Sequence, residues 1–447
     1  MIRSLYLFIL FAIIAVAGVW LTDHPGQVSI NWDSYVIETN IVVLVVTALL
    51  AGVAITLLYR LFLWLKNSPA RLGGALSARK RSKGLEALSS GMVAIAAGDA
   101  REARLAAIEA EKHLKNEPMA LLLAAQAAEL NEDDRAARIY YDKLAARSDT
   151  EFLGIRGLIA RAKADNDLDL ALKHATRADE LKPGTEWVLK DLFELSLKAR
   201  QFEKADALLD RMTRGKASKS AKVKRLHAVI GYARATGKIA QNDQSEATRL
   251  ALLAHAFDPT FVPASVLAIG LMDAGRKRDK LIQEAWDHAP HPDIAATVKG
   301  LVKDETPADW YIRAKKIFAG LQPNHRETAL VLARASFDAR EWGNTRTYLD
   351  LAIKADPSAS VYLLRANFEE KANADAAAAR SWILKSAEAA PDPHWICDSC
   401  GRQETQWSSH CPACDSFDSQ QWRKADIGLQ HSPVLEAEIV PEIAAPA

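Results

Sequence analysis

Four cysteines near the carboxyl terminus form the strongest chemical motif of this sequence. All cysteines of the chain lie between Cys397 and Cys414, in two Cys-x-x-Cys pairs that are separated by ten residues. Each pair can form a knuckle, so that the thiolates converge on one ion while nearby backbone N–H groups donate to the sulfurs. Four thiolates satisfy either zinc or a single iron. We therefore predict that Cys397, Cys400, Cys411 and Cys414 bind one zinc or iron ion in a reducing compartment.

The residues around these cysteines suit a small metal module. Gly401 follows the second cysteine, at a position where the turn of a knuckle favours a left-handed backbone. An isolated module of about 30 residues cannot bury a core of its own. We therefore expect the aromatic side chains of Trp395, Trp407, Phe417 and Trp422 to supply that core together with the metal. Metal binding in such sites contributes roughly 10–16 kcal/mol, which predicts that the module folds only when it is loaded.

Two other chemistries are open for the same cluster. A thiol redox centre would use the Cys-x-x-Cys pairs for exchange, although two pairs so close in sequence favour chelation. Haem ligation would use Cys411 with Pro412, or the neighbouring His394 or His410. Because four cysteines already complete a tetrahedron, a structural metal site is our first interpretation.

The rest of the chain shows no catalytic constellation and no cofactor motif. Nothing in it resembles a nucleotide-binding loop, a nucleophile elbow or a metalloprotease helix. The 57 Lys and Arg nearly balance the 56 Asp and Glu, so no basic surface indicates nucleic acid. We predict a protein that is not an enzyme, with no catalytic residues and no cofactor besides the metal.

A helical region from residue 84 to 391 precedes the cysteines, and its small residues recur every 34 positions. Three such series are Ala103, Ala137, Ala171 and Ala205; Ala94, Ala128, Ala162 and Ser196; and Ala110, Leu144, Ala178 and Met212. Pro183 follows Ala178 by five residues, and Pro357 and Pro391 are again 34 apart. This pattern is typical of tetratricopeptide repeats, in which two antiparallel helices form each unit. Chance recurrence of alanine in an irregular bundle would not repeat in several registers.

The repeats predict both an architecture and a kind of partner. Stacked helix pairs form a superhelical solenoid, because one pair cannot bury its own apolar face. The usual ligand of its concave surface is a peptide or a protein helix, so we expect protein partners there. Residues 214–243 and 288–308 fit the period less well, and we expect longer or irregular helices in those places.

Two uncharged apolar runs, Leu5–Leu21 and Ile41–Tyr59, predict two transmembrane helices. The loop between them contains no Lys or Arg, whereas residues 66–83 contain six. By the positive-inside rule, both termini and the main domain are cytoplasmic, with a short outer hairpin between the spans. Alternating residues predict a β-hairpin within Gln27–Glu38. A cleaved signal peptide is the alternative interpretation of the first run.

These observations divide an all-α chain into five segments. They are residues 1–65, two transmembrane helices with a short periplasmic hairpin; 66–83, a basic juxtamembrane linker; 84–391, the tetratricopeptide solenoid; 392–423, a rubredoxin- or zinc-ribbon-like module; and 424–447, a disordered tail. The tail is short of aromatics and rich in proline, which favours disorder.

The two spans, an outer loop ending in Tyr35-Val36-Ile37-Glu38-Thr39-Asn40 and a repeat array that starts near Gly84 resemble the HemY family. Its members are bacterial inner-membrane tetratricopeptide proteins associated with haem biosynthesis. The resemblance implies a membrane scaffold that organises enzymes of late haem or porphyrin biosynthesis. An unrelated flavin-dependent protoporphyrinogen oxidase shares the family's name, but this chain has no dinucleotide fingerprint, so that activity is not implied.

The segment from Cys397 to Trp422 departs from the shorter members of that family. It resembles the rubredoxin-type knuckle pair of another class, the membrane-tethered repeat proteins that control lipopolysaccharide assembly. In that class the metal module packs against the repeats, and both are needed to recruit a partner. The second hypothesis is therefore a regulatory adaptor that couples envelope assembly to a membrane protease. A haem-handling or thiol-redox protein is the third.

Overall fold

Helices form most of this protein, as the 34-residue period predicts. The computed structural model describes residues 2–23, 26–32, 35–213 and 220–425. Within it the chain divides into two compact units, Met1–Ala137 and Arg138–Ala447, and each is described by itself. The predicted tail lies outside the described residues apart from Lys424 and Ala425.

The elements are numbered in chain order. The helices are α1 (Ile2–Asp23), α2 (Ile41–Ala97), α3 (Ala100–Leu114), α4 (Pro118–Leu130), α5 (Asp134–Ala145), α6 (Glu151–Ala164), α7 (Leu168–Leu181), α8 (Glu186–Lys198), α9 (Phe202–Met212), α10 (Ala221–Ala240), α11 (Gln244–Phe257), α12 (Val262–Leu271), α13 (Arg276–His288), α14 (Pro292–Gly300), α15 (Pro307–Phe318), α16 (Arg326–Asp338), α17 (Trp342–Ala355), α18 (Ala359–Asn373) and α19 (Ala376–Glu388). The strands are β1 (Gln27–Trp32), β2 (Tyr35–Asn40), β3 (His394–Cys397), β4 (Gln403–Glu404) and β5 (Gln420–Arg423). The all-α prediction is confirmed, with short strands in the predicted hairpin and in the cysteine module.

The first unit begins with α1 and an antiparallel hairpin. Strands β1 and β2 pair from Gln27 opposite Asn40 to Trp32 opposite Tyr35, as the alternating sequence predicts. Asn40 then caps α2 by accepting a hydrogen bond from the backbone N–H of Val42. Helix α2 runs for 57 residues, so the predicted juxtamembrane linker is part of one continuous helix.

One described helical segment, Ile41–Trp64 in α2, is long and apolar enough to cross a membrane. The apolar stretch found in α1, Phe11–Trp20, is shorter. Large apolar side chains such as Phe11 and Leu50 are exposed in both helices, as a lipid environment requires. The structure thus supports the second predicted span by length and composition, while the span at α1 stays a prediction.

Antiparallel helix pairs follow one another with the predicted spacing. Ala103, Ala137, Ala171 and Ala205 occupy equivalent positions in α3, α5, α7 and α9, and each is fully buried. Small side chains at a crossing let two helices approach closely, which explains why this position carries alanine. In the second unit, α6 packs with α7, α8 with α9, α10 with α11, α16 with α17 and α18 with α19. These pairs are tetratricopeptide units.

The two stretches that fit the period poorly are irregular in the structure. Helix α10, at 20 residues, is longer than its neighbours, and residues 214–219 before it lie outside the described part of the chain. Helix α14 has only nine residues and packs against α12. Both helices have well-defined N-termini, since the side chains of Ser220 and His291 cap α10 and α14.

The cysteine module is a three-stranded antiparallel sheet in the order β4-β3-β5. Trp395 in β3 lies opposite Trp422 in β5. Its aromatic side chains do not form a separate core. Trp395, Trp407 and Phe417 instead join one hydrophobic cluster with buried residues of helices α6 to α12. The module therefore obtains its burial from the repeats, because its own chain is too short to enclose those rings.

Candidate metal centre

The fold brings the four predicted ligands together. Their Sγ atoms all lie within 4.8 Å of one another, and the Cys397–Cys414 and Cys400–Cys411 sulfurs are 3.7 Å apart. Metal–sulfur bonds of about 2.3 Å in a regular tetrahedron place the sulfurs about 3.8 Å apart. The spacing therefore fits one tetrahedral zinc or iron ion.

Two equivalent turns present these thiols. Gly401 follows the first pair with φ +72°, and its N–H donates to the carbonyl of Cys397 at 2.8 Å. Asp415 follows the second pair with φ +55°, and its N–H donates to the carbonyl of Cys411 at 2.9 Å. The prediction for Gly401 is confirmed. The cysteine spacing does not predict the matching role of Asp415, although aspartate tolerates the left-handed region better than most residues.

Hydrogen bonds prepare one sulfur for ligation. Burial disfavours the Cys397 thiolate, but the Ser419 hydroxyl at 3.2 Å and backbone N–H groups outweigh it and lower the pKa of Cys397 to about 7. Burial and the neighbouring thiols raise the pKa of Cys400 to about 12, and burial raises that of Cys411. Four thiolates at this spacing repel one another unless a cation lies among them, which is the condition a metal ion satisfies.

The two histidines near the knuckles have structural partners. His410 Nε2 lies 3.1 Å from the carbonyl oxygen of Leu197, in the last turn of α8, and its ring packs on Phe417. Burial lowers the pKa of His410, so the neutral ring can donate to that carbonyl. His394 Nδ1 lies 2.9 Å from the carbonyl oxygen of Asp392, two residues before it. These contacts favour docking roles over haem ligation.

Ion pairs fasten the module to the repeats near α9 and α10. Two of the guanidinium nitrogens of Arg225, Nη2 and Nε, donate to Asp418 at 2.8 and 3.0 Å, and the same group lies 4.1 Å above the Phe261 ring. Arg200 pairs with Asp415 at 3.2 Å, on the surface. Burial raises the pKa of Asp418 despite Arg225 beside it. The second knuckle is thus held directly against two helices of the repeat array.

A second set of polar contacts holds the start of β3. Asp392 accepts hydrogen bonds from the hydroxyls of Ser358 and Ser360, at 2.8 and 2.7 Å, and pairs with the buried Arg326. Burial opposes ionisation of Asp392, but these serines and Arg326 outweigh it and lower its pKa. Lys424, just after β5, pairs with Asp356 at 2.5 Å. These contacts lie at the beginning of α16 and α18.

Aromatic contacts fill the space between these two sets of polar contacts. The Trp407 ring meets Tyr232 and Phe261 edge-on, with centroids 5.2 and 4.8 Å apart. Trp395 and Trp422 pack on His291, at centroid distances of 5.4 and 4.2 Å. Burial lowers the pKa of His291 to about 3, so its ring stays neutral between the two indoles. The module therefore contacts repeats from α8 to α18.

Fold and site together define the class: a tetratricopeptide-repeat protein with a four-cysteine module seated on its own repeats. The family described as HemY protein N-terminus matches residues 26–132. Protein HemY of Escherichia coli K12 is 24% identical over 174 residues, which are 39% of this chain and 44% of that protein's length. These matches confirm the resemblance of this chain to the HemY family.

Another relative matches along almost the whole chain. It is a protein of Magnetospirillum gryphiswaldense named "Probable magnetosome protein Mms48", 25% identical over 436 residues, 95% of this chain and 94% of the relative. Among solved structures, a tetratricopeptide protein of Parabacteroides merdae covers 68% of this chain and 99% of its own, at 11% identity and a TM-score of 0.30. The tetratricopeptide assignment itself rests on the helix pairs and their 34-residue period.

Proposed function

We propose that this chain is a membrane-anchored scaffold that holds enzymes of late haem or porphyrin biosynthesis at the cytoplasmic face of a bacterial inner membrane. The observation that carries the proposal is the HemY match over residues 26–132, which covers the hairpin, α2, α3 and α4. Because α2 continues from its apolar segment into the first repeat, one continuous helix joins the repeats to the anchor. Both termini are cytoplasmic in this proposal, and α1 is a second span.

A scaffold has a physical advantage in such a pathway. Binding two consecutive enzymes side by side raises their effective concentration to the millimolar range for short, well-matched spacings. A poorly soluble intermediate then passes between them without leaving the membrane surface. The chain itself acts here without catalysis, and we assign no catalytic residue to it.

The metal has a structural part in this proposal. Cys397, Cys400, Cys411 and Cys414 hold one zinc or iron ion, which cross-links the two knuckles when it is bound. The spacing of the sulfurs supports this, as does the docking of the module on the repeats. A thiol-redox or haem-handling role is the alternative; it predicts a haem or flavin band in the purified protein, or reversible cysteine oxidation without metal loss.

A profile of porphyrin intermediates in cells that lack this protein tests the pathway. We expect accumulated porphyrin, restored to normal by the intact gene, with unchanged lipopolysaccharide. Normal porphyrins with altered lipopolysaccharide would instead favour the second candidate, a regulatory adaptor for envelope assembly. The docking of the cysteine module on the repeats is the observation that favours that candidate, by its likeness to the lipopolysaccharide regulators.

A further inference from the structure

The first two repeats carry an apolar strip that the fold leaves uncovered. Leu85, Met92 and Met119 are 52%, 38% and 47% exposed. Leu88, Ile95 and Leu122 lie beside them and are half-buried. We call these six residues, four on α2 and two on α4, the apolar strip.

Spacing places the strip on one continuous surface. Leu85, Leu88, Met92 and Ile95 follow one another at three- and four-residue steps, so they share one face of α2. Met119 and Leu122 are 34 residues after Leu85 and Leu88, which makes them the equivalent positions of the next repeat. The adjacent face of α2 is occupied, since Gly84 and Gly91 lie against α3 and α4.

The close approach of the two helices keeps the strip unbroken. A Cβ on Gly91 would lie 2.7 Å from a Leu123 methyl carbon, so α4 packs directly on α2 at this glycine. Leu88 and Ile95 lie one helical turn before and after Gly91 and therefore border this contact on α2. Met119 lies one turn before Leu123 and borders it on α4. The apolar side chains of both helices therefore form one surface, about 15 Å long on α2.

Charge marks one end of the strip. Arg79, Lys80, Arg81 and Lys83 precede Leu85 on α2, and all four are exposed. Arg81 comes within 3.8 Å of Glu117, and this exposed pair offsets only part of the positive charge. An occupant therefore gains from acidic groups at the end of the strip nearest the membrane anchor.

We infer that the apolar strip binds an amphipathic helix of a second protein, with acidic residues at the end that meets Arg79–Lys83. An extended peptide would need hydrogen-bond partners for its backbone, and the six apolar side chains offer none. A helix satisfies its own backbone and presents an apolar face about three turns long. Methionine side chains adapt to such faces, as Met92 and Met119 would here. This inference rests on the proposed scaffold function.

Two other occupants fit less well. Leu85 lies roughly 30 Å along α2 from Trp64, well beyond a headgroup layer of several ångströms. A second copy of this chain would insert in the same orientation, so a twofold axis along the membrane normal would bring the two basic ends together. Both occupants remain distinguishable by experiment.

Site-specific photocrosslinking in cells tests the inference with the full-length chain. We expect Met92→p-benzoylphenylalanine to crosslink one partner protein through a peptide that has an apolar helical face and an acidic end. The same replacement at Ile108, which is 56% exposed on α3, is the matched control and should not crosslink that partner. Equal crosslinking at Ile108, or crosslinks from Met92 to lipid or to a second copy, would overturn the inference.

A charged substitution within the apolar strip provides a second test. With the crosslinker at Met119, Leu85→Glu should reduce the yield at least tenfold, whereas Leu105→Glu on α3 should leave it unchanged. Circular dichroism of both variants checks that the repeats stay folded. Unchanged yield in folded Leu85→Glu would contradict the proposed surface.

A crosslinker at Leu363, 46% exposed on α18, separates this inference from the scaffold function. Partner capture at Leu363 without capture at Met92 would refute the apolar strip and leave the scaffold standing. Capture at neither position, together with normal porphyrins in the deletion strain, would refute the scaffold itself.

Discussion

At the scale of single residues, the cysteine module depends on a few groups with separate tasks. The four cysteines are the proposed ligands, whereas Gly401 and Asp415 supply the left-handed turns that follow the two pairs. Asp392 and Asp418 are not among the proposed ligands and instead hold the module on the repeats. Ligation and docking can therefore be tested one residue at a time.

Loss of one ligand should empty the site without unfolding the repeats. We expect Cys400→Ser and Cys411→Ser to remove the bound ion and unfold the module, since three thiolates hold a structural ion far more weakly than four. The metal content measured by elemental analysis should fall from one ion per chain to near zero, while the far-UV circular dichroism spectrum stays nearly unchanged. Ala413→Ser, beside the ligands, is the control that should keep its metal. Equal metal content in mutant and parent would contradict the assignment.

Removal of the carboxylate at Asp392 should destabilise the second unit. Asp392→Asn removes the carboxylate charge beside the buried Arg326, which keeps Glu327 as a partner, and we expect a cost of about 2 kcal/mol. Asp398→Asn, which removes the exposed pair with Arg423, should change the free energy of unfolding by at most about 1 kcal/mol. Denaturant unfolding of both variants measures the difference; equal stabilities would show that the Asp392 contacts add nothing.

The Asp392→Asn variant also tests how the stability of the folded chain depends on pH. Because the pKa of Asp392 is lowered on folding, its carboxylate stabilises the folded chain above the ordinary value of 3.8. That contribution is lost as the pH falls through the lowered pKa. The stability difference between the parent and Asp392→Asn should therefore narrow as the pH falls below about 4, in unfolding curves recorded at several pH values. A constant difference would mean that Asp392 acts without its charge.

At the scale of elements, the module connects helices that are far apart in the chain. Its knuckles contact α8 to α10, and Asp392, two residues before β3, contacts the beginnings of α16 and α18. A short sheet without its own core thus contacts several repeats, and we propose that a bound metal keeps that sheet folded. The stability of these helix ends should depend on the metal.

Chelation should therefore loosen the second unit selectively. Cys400 and Cys414 are exposed, so a chelator can reach the ion from solvent. Hydrogen exchange measured by mass spectrometry should then speed up in β3 and at the beginnings of α10 and α16. Helices α3 and α4 of the first unit serve as the internal control and should keep their protection. Uniform loss of protection along the chain would contradict a local role for the module.

At the scale of the whole molecule, function depends on where the repeats lie with respect to the membrane. We expect alkaline phosphatase to be active when it is fused after Asn31 in the hairpin, because that enzyme matures only outside the cytoplasm. Fusions after Ser82 and at the carboxyl terminus should be inactive, while green fluorescent protein fused at the same positions should fluoresce. Activity after Ser82 would reverse the proposed orientation of the chain.

Much of the fold could be predicted from local patterns. The 34-residue recurrence of Ala103, Ala137, Ala171 and Ala205 identified the helix pairs because each pair buries the same small position. The irregular stretch at α14 could only be recognised as a departure from the period. Its short helix is held by packing on α12, which no sequence spacing encodes.

The sequence by itself determined the β-hairpin and the repeat period and predicted the four cysteines as metal ligands, because each depends on residues close together in the chain. Only the tertiary structure decided where the module lies and which repeat surface stays open. Asp418 and Arg225 are separated by 193 residues, and His410 and Leu197 by 213. Such contacts arise when the helix pairs stack, since stacking alone brings distant helix ends beside the knuckles and leaves Leu85 and Met92 uncovered.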